Sequence, residues 1–391
     1  MTGKTGVSGG CWPTGEQALL LRAALLHGHE AITAWQLWAR AVDIDTLDGA
    51  SVRLLPHLYR TLEREGVRDE LRGRLKGMYR HTWYANHLRL RDTALLVKTL
   101  QEQGVEALLL KGAALTLLYY RDPGLWPMDD VDVLVRTDQA QAAVAALSGN
   151  GWRPRSPVTA NHVESHHAMD FADATGQRVD LHWHVLPENC GRRADDAFWD
   201  RSRRAEVRGV PVRVLDPTDQ LFHVCAHGVK WEPIRPLRWI ADAAVILARA
   251  GAELDWARLA RETRQRRLVL PVREALAHLA STLALPVPGA VLSELGAAAV
   301  SRAEQWEHRL RTRPAGRVLG RVPEHWLRYR RLRADRKGEE TIGFIGYLQL
   351  VLGCQGVGQL AGRALFRHRY RRHAQLTTQQ YERELKRSAL L

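Results

Sequence analysis

The hydrophobic period changes in the middle of this chain, and no other feature constrains its fold as much. From Gln17 to about Leu100 apolar residues recur at three and four, in "QALLLRAALLHG", "AITAWQLWARAV", "SVRLLPHLYRTLEREG" and a long run to "LLVKTLQEQG". That spacing builds one face of a helix. At Val105–Leu110, "VEALLL" is short and continuous and predicts a buried strand. "AALTLLYY" predicts a helix closed by "RDPG", and "VDVLVR" a second strand. "TDQAQAAVAALSGNG" then predicts a helix with Thr137 as its N-cap. "SHHAMDFA" and "RVDLHWHV", joined by "DATGQ", predict an antiparallel hairpin, and "EVRGVPVRVL" a smaller one. After Asp216 the helical period returns. The pattern is that of an α+β protein, with a small mixed sheet of about four or five strands between N-terminal and C-terminal helical regions.

At 391 residues the chain has room for two or three domains. The period divides it into a helical region at 1–100, an α/β core at 101–215, a helical domain at 216–320 and a basic helical region at 321–391. Residues 1 to about 15 read as a loose tail. The "GKT" at Gly3–Thr5 lacks the upstream glycine and strand of a phosphate loop. Cys11, Cys190, Cys225 and Cys354 have no paired spacing, which excludes a disulfide framework or a zinc ribbon. A reducing, cytoplasmic setting is the expectation, and no signal peptide is visible. Thr341–Gly362 is uncharged for 22 residues, but six glycines and three glutamines interrupt it. It is read as a buried helix that admits a weak membrane-surface contact, with no transmembrane span expected. "GVGQLAG" at Gly356–Gly362 has too little chain after it for a dinucleotide fold.

The chemistry is carried by "LLLKGAALTLLYYRDPGLWPMDDVDVLVR", Leu108–Arg136. In a strand, residues two apart face the same side. Asp130 and Asp132 therefore point together, while Val131 and Val133 face the core. Paired carboxylates repel and resist burial unless a cation joins them. Mg²⁺ suits a few carboxylates plus phosphate oxygens. Asp180, in "RVDLHWHV", is the natural third acid if its strand lies beside the first. Three such acids can hold metal for phosphoryl chemistry. Asp129 has the opposite parity and is expected to face solvent or cap the turn. Lys111 and Gly112 end one strand and begin a helix. There a lysine, a close backbone approach and unpaired N–H groups suit an anion.

These residues resemble the DNA polymerase beta-like nucleotidyltransferase superfamily, and within it an uncharacterised bacterial nucleotidyltransferase family. The likeness rests on "LLLKGAALTLLYYRDPGLWPMDDVDVLVR", "RVDLHWHV" and the helical "DQLFHVCAHGVKW…IRPLRWIADAAVIL", over about residues 80–300. It implies a polymerase-beta-like core, with Asp130, Asp132 and Asp180 as catalytic metal ligands for Mg²⁺ or Mn²⁺. It also implies nucleotide contact around Lys111, Gly112 and Ala113. The co-substrate would be an NTP, with ATP the expected one. The acceptor would be a small molecule, a peptide or a protein, recognised by the helical domain. The chain departs from the family twice. Ala113 follows Gly112 where the superfamily offers a serine or glycine. Trp126 stands where this branch has arginine, with Arg121 or Arg153 to compensate.

Two other groups of residues bear on function. His162, His166, His167, His182 and His184 fall within 23 residues. Because His182 and His184 share the parity of Asp180, a zinc hydrolase is an alternative. His182 reads better as a partner of the acids or a donor to phosphate. His223 and His227 lie one helical turn apart without a metalloprotease glutamate. Arg235 is a candidate for phosphate or an acidic substrate, and Arg238 with Asp242 reads as a helix pair. The net charge of +14 and the basic runs at 325–337 and 363–372 raise a nucleic-acid-binding alternative. No recognised nucleic-acid motif accompanies them, so nucleic acid is not the favoured partner.

Overall fold

The computed structural model describes residues 9–155, 162–314, 322–335, 342–352, 354 and 356–360. The loose-tail reading fails from Gly10 onward. Gly10 exchanges backbone hydrogen bonds with Glu232 at 3.0 and 3.2 Å, and Thr14 with Gln17 forms a reciprocal cap. The glycine-lysine-threonine motif lies outside the described residues.

Four helices follow: α1 (Gly15–Leu25), α2 (Gly28–Ala41), α3 (Gly49–Arg64) and α4 (Arg72–Glu102). Then come β1 (Ala107–Leu109), α5 (Lys111–Leu115) and β2 (Val131–Val135). The helix expected over "AALTLLYY" is α5 continued by a wider, π-helical turn at Thr116–Tyr120, which ends at Arg121 in the left-handed region. Next are α6 (Ala140–Gly149), β3 (Arg153–Pro154), α7 (His162–Ser165), β4 (Ala168–Ala172) and β5 (Arg178–His182). Thr137 is not an N-cap. Its hydroxyl donates to the Trp183 carbonyl at 3.0 Å, and a short 3₁₀ turn leads into α6. The core closes with α8 (Asp196–Arg201), β6 (Arg203–Val207) and β7 (Val210–Val214).

The sheet has seven strands in the order β3-β4-β5-β2-β1-β7-β6, larger than the four or five expected. Both predicted hairpins form: β4 with β5, and β6 with β7. The turn of the first is set by Asp173, whose carboxylate accepts from the Thr175 and Gln177 N–H groups. Gly176 beside it adopts φ +86°, a conformation open to glycine. The one strand that none of the predicted segments covers is the two-residue β3, too short for its own periodic signal.

Alternation sorts the strand residues into two apolar layers. Leu109, Val131, Val133, Val135, Met169, Phe171, Val179 and Leu181 pack with α6 and the C-terminal half of α4. Leu108, Leu110 and Leu134 face the other way, into a core shared by α1–α3 and the later helices α9 (Pro217–Gly228), α10 (Arg238–Ala250), α11 (Trp256–Gln265), α12 (Val269–Leu283) and α13 (Gly289–Ala297). Asp216 caps α9 by accepting from the Asp219 N–H at 2.8 Å, with Pro217 in the first turn. Beyond α14 (Arg302–Arg311), the basic run forms α15 (Val322–Asp335). The uncharged segment contributes α16 (Phe344–Leu352), in which Tyr347 and Leu348 are buried. Among the described residues no helix is long and apolar enough to cross a membrane.

Candidate metal and nucleotide site

The parallel pairing of β2 and β5 sets Asp132 directly opposite Asp180. Because β4 pairs with β5 on the far side, Asp170 stands opposite Asp180 in turn. Three carboxylates thus form a row across adjacent strands, on the face opposite the Val133–Leu181 layer. β1 runs antiparallel to β2, and the Leu110 N–H donates to the Asp132 carbonyl at 3.0 Å. This brings the exit of β1, and with it Lys111, to the beginning of β2.

Four side chains converge there. Lys111 Nζ lies 2.5 Å from Asp132 Oδ1. His182 Nε2 lies 3.1 Å from the same oxygen and 2.9 Å from Asp180 Oδ2. Asp132, Asp180 and His182 bring one ligand atom each to within 4.8 Å of one another. Asp132 and His182 are buried, while Asp180 is half-buried and reaches solvent. Burial alone would raise the pKa of Asp132, but Lys111 and His182 overcome it and hold the carboxyl far below the carboxylate range. Burial and Lys111 depress His182, yet its bonds to Asp132 and Asp180 leave its pKa raised. Lys111 is likewise raised, because Asp132 and Asp180 outweigh its desolvation. Two carboxylates and an imidazole at one sheet end form a strongly charged cluster that a divalent cation would complete.

Asp130 precedes β2 and stands outside that convergent set. It is close enough to feel it: burial and then Asp132 raise its pKa, against the pull of Arg238 and Lys111. Asp129 does not face solvent alone, since it is paired with Arg53 of α3. Lys111 is not solvated either, and it takes the left-handed backbone at φ +44°, a strained conformation for a residue with a side chain. Gly112 is buried, and the space where a Cβ would stand is filled by the Arg238 guanidinium and by Met128 Cγ at 3.2 Å. Ala113 is buried in the apolar layer with α6.

Arg235 is placed elsewhere: its Nη1 donates to the Trp12 carbonyl at 2.7 Å, and its guanidinium packs against Gly10. It lines a cavity of about 220 Å³ with Arg53, Trp126 and Arg238. Trp126 is buried, with its ring beneath the Arg238 guanidinium at 5.8 Å. Neither Arg121 nor Arg153 compensates for it. Arg121 turns back onto the Leu118 carbonyl, and Arg153 sits exposed on the edge strand.

The five histidines do not share one centre. β5 ends at His182, so His184 leaves its face and bonds Asp195 at 2.7 Å, lining a separate cleft with Cys190 and Trp199. His162 stacks on His166 at 4.0 Å. Among the described residues, Asp132, Asp180 and His182 are the only such metal-capable group. His223 and His227 stack at 6.0 Å inside α9. Burial, then Lys111 and His182, push His223 down to about 3. Part of the first basic run is spent on structure: Arg331 pairs with Glu307, and Arg330 lies over Trp326. The run at 363–372 lies outside the described residues.

Sequence reasoning missed Asp170 and Asn86, and it read Arg238 only as the partner of Asp242, a pair that forms at 3.7 Å. Asp170 was within reach, since the hairpin and its turn length fix its register against Asp180. Asn86 is buried and donates to the Pro123 and Trp126 carbonyls at 2.6 and 2.7 Å, while its Oδ1 accepts from the Met128 N–H at 3.2 Å. It holds the loop that delivers Asp130, and nothing in its own helical neighbourhood signals this.

A family model described as an uncharacterised nucleotidyltransferase matches residues 50–284, from α3 through α12. None of the curated proteins compared matches the chain. Among solved structures, an antigenic nucleotidyltransferase-like protein from Paracoccidioides brasiliensis is similar at 16% identity, covering 55% of this chain and 94% of that one, with a TM-score of 0.33. The matched span contains both aspartate strands, Lys111 and the helices behind them, and on that match the chain belongs to the uncharacterised nucleotidyltransferase family.

Proposed function

We propose that the protein transfers a nucleoside monophosphate from an NTP, ATP being the expected one, to a hydroxyl or phosphate of a small-molecule, peptide or protein acceptor. The acceptor oxygen attacks the α-phosphorus, the bond to the β-phosphate breaks, and its electron pair leaves with pyrophosphate. The observation that carries the reading is the Asp132–Asp180 pairing, with His182 and Lys111 bonded to the same carboxylates.

The donor set fits a divalent cation, because the Asp132 and Asp180 carboxylates converge to within 4.8 Å of one another. Asp132 and Asp180, with Asp130 beside them, would hold Mg²⁺ or Mn²⁺. The ion would supply neutralisation of the charge that builds on the phosphates. Asp180, the half-buried member, would bind the catalytic metal and lower the effective pKa of the acceptor hydroxyl, whose proton leaves to solvent. His182 orients both carboxylates. Lys111, beside Asp132, would meet the α-phosphate, with Gly112 and Ala113 forming the backbone turn there. The helices of 216–320 would recognise the acceptor. The unpaired spacing of the cysteines in the sequence supports a cytoplasmic setting.

The test incubates wild type and Asp132→Ala with each labelled NTP, Mg²⁺ or Mn²⁺, and a panel of acceptors. Transfer by wild type that drops by three or more orders of magnitude in the variant is expected, as for loss of a metal ligand (roughly 4 kcal/mol of barrier). Equal transfer by the two proteins would refute the assignment.

A further inference from the structure

Arg238, the first residue of α10, is positioned unlike a surface helix residue. Its Nε lies 3.7 Å from Asp242 Oδ2, and Asp242 is itself fixed by the Tyr120 hydroxyl at 2.8 Å. The guanidinium lies over the buried Trp126 ring. Its Nη2 end occupies the place a Cβ on Gly112 would take. The Nε edge is therefore held from behind by Asp242, and the terminal edge is pressed onto the Lys111–Gly112 turn. Among the described residues, no hydrogen bond is made by its terminal nitrogens. Glycine at 112 is explained by this guanidinium, with no need to invoke a bare anion.

The charges around the turn say what the guanidinium is for. Lys111 sits at Asp132, the α-phosphate end of the site, Arg53 pairs with Asp129, and Arg235 bonds the Trp12 carbonyl. A triphosphate brought to Asp132 and Asp180 carries further negative charge beyond its α-phosphate. A planar guanidinium with two parallel N–H donors matches phosphate oxygens better than an ammonium does. We infer that Arg238, aimed by Asp242 and Trp126, binds the β- and γ-phosphates of the NTP and so forms the pyrophosphate subsite. This deepens the transfer reading above and rests on it.

Equilibrium binding of ATP, AMP and inorganic pyrophosphate, each with Ca²⁺ in place of Mg²⁺ to prevent turnover, separates the possibilities. Arg238→Gln should weaken ATP and pyrophosphate on the order of 10- to 100-fold, as for loss of charge-assisted hydrogen bonds. AMP affinity should stay within about twofold, since AMP has no β-phosphate. Arg238→Lys, which keeps the charge and loses the fork, should fall between wild type and Arg238→Gln, and it serves if the glutamine variant fails to fold. Unchanged ATP and pyrophosphate affinity in both variants would overturn the inference while leaving the transfer reading intact. An equal loss of AMP affinity would also overturn it, by assigning Arg238 a purely structural role. Wild type that binds none of the three would remove the transfer reading and this subsite together.

Discussion

Asp242 is a buried carboxyl that the fold makes easier to protonate. Burial raises its pKa to about 6, against the pull of Arg238 and the Tyr120 hydroxyl. An unfolded aspartate titrates near 3.9, so between about pH 4 and 6 the folded state holds the extra proton. Stability from this group is present at the acid end and is lost as pH rises through the folded pKa. Asp219 shifts in the same direction, to about 6, so the contribution of Asp242 must be read as a difference. In Asp242→Asn the acceptor for Tyr120 remains and the titration is removed. Relative to that variant, wild type should lose on the order of 2 kcal/mol between pH 4 and 7, measured by urea denaturation at stepped pH. A gap that does not vary with pH would show that Asp242 stays ionised throughout.

At the scale of elements, α4 controls the loop that leads into β2. Asn86 satisfies three backbone groups of that loop at once. Asn86→Ala would leave them buried without partners, at a cost on the order of 2–4 kcal/mol. Thermal melting should register this loss, and nucleotide binding should fall with it; a variant melting like wild type would show the loop is held by other contacts. The same element marks what a linear reading reaches. Asp132 and Asp180 were legible because strand parity is a local property and β2–β5 pairing needed one topological guess. Asn86 and Arg53 were not, and Arg238 was legible only as the partner of Asp242, because the contacts with Trp126, Asp129 and Gly112 cross a sequence separation that no period encodes. β3 and Thr137 failed for the opposite reason: two-residue strands and cap choices are decided by neighbours, and propensity is a weak guide there.

Across the whole molecule, α1–α3 and α9–α13 bury their apolar faces in one continuous core. Arg22 of α1 even donates to the Thr282 carbonyl in α12 at 3.0 Å. The regions that sequence separates as N-terminal and C-terminal should therefore unfold together. Trp38 is fully buried in α2 and packs at a tilt against Trp35, ring centroids 5.6 Å apart. Trp38→Ala should cost about 3–5 kcal/mol and reduce hydrogen-exchange protection equally in α2 and α12. Loss confined to α1–α3 would mean two independent units. The sheet places a comparable demand on the folding chain. A slip of β5 by a single residue against β2 would drive Asp180 and His182 into the apolar layer beside α6, and turn Val179 and Leu181 out to water. The row of acids thus acts as a proofreader of assembly, since a misaligned sheet is rejected by its own charges before any substrate arrives.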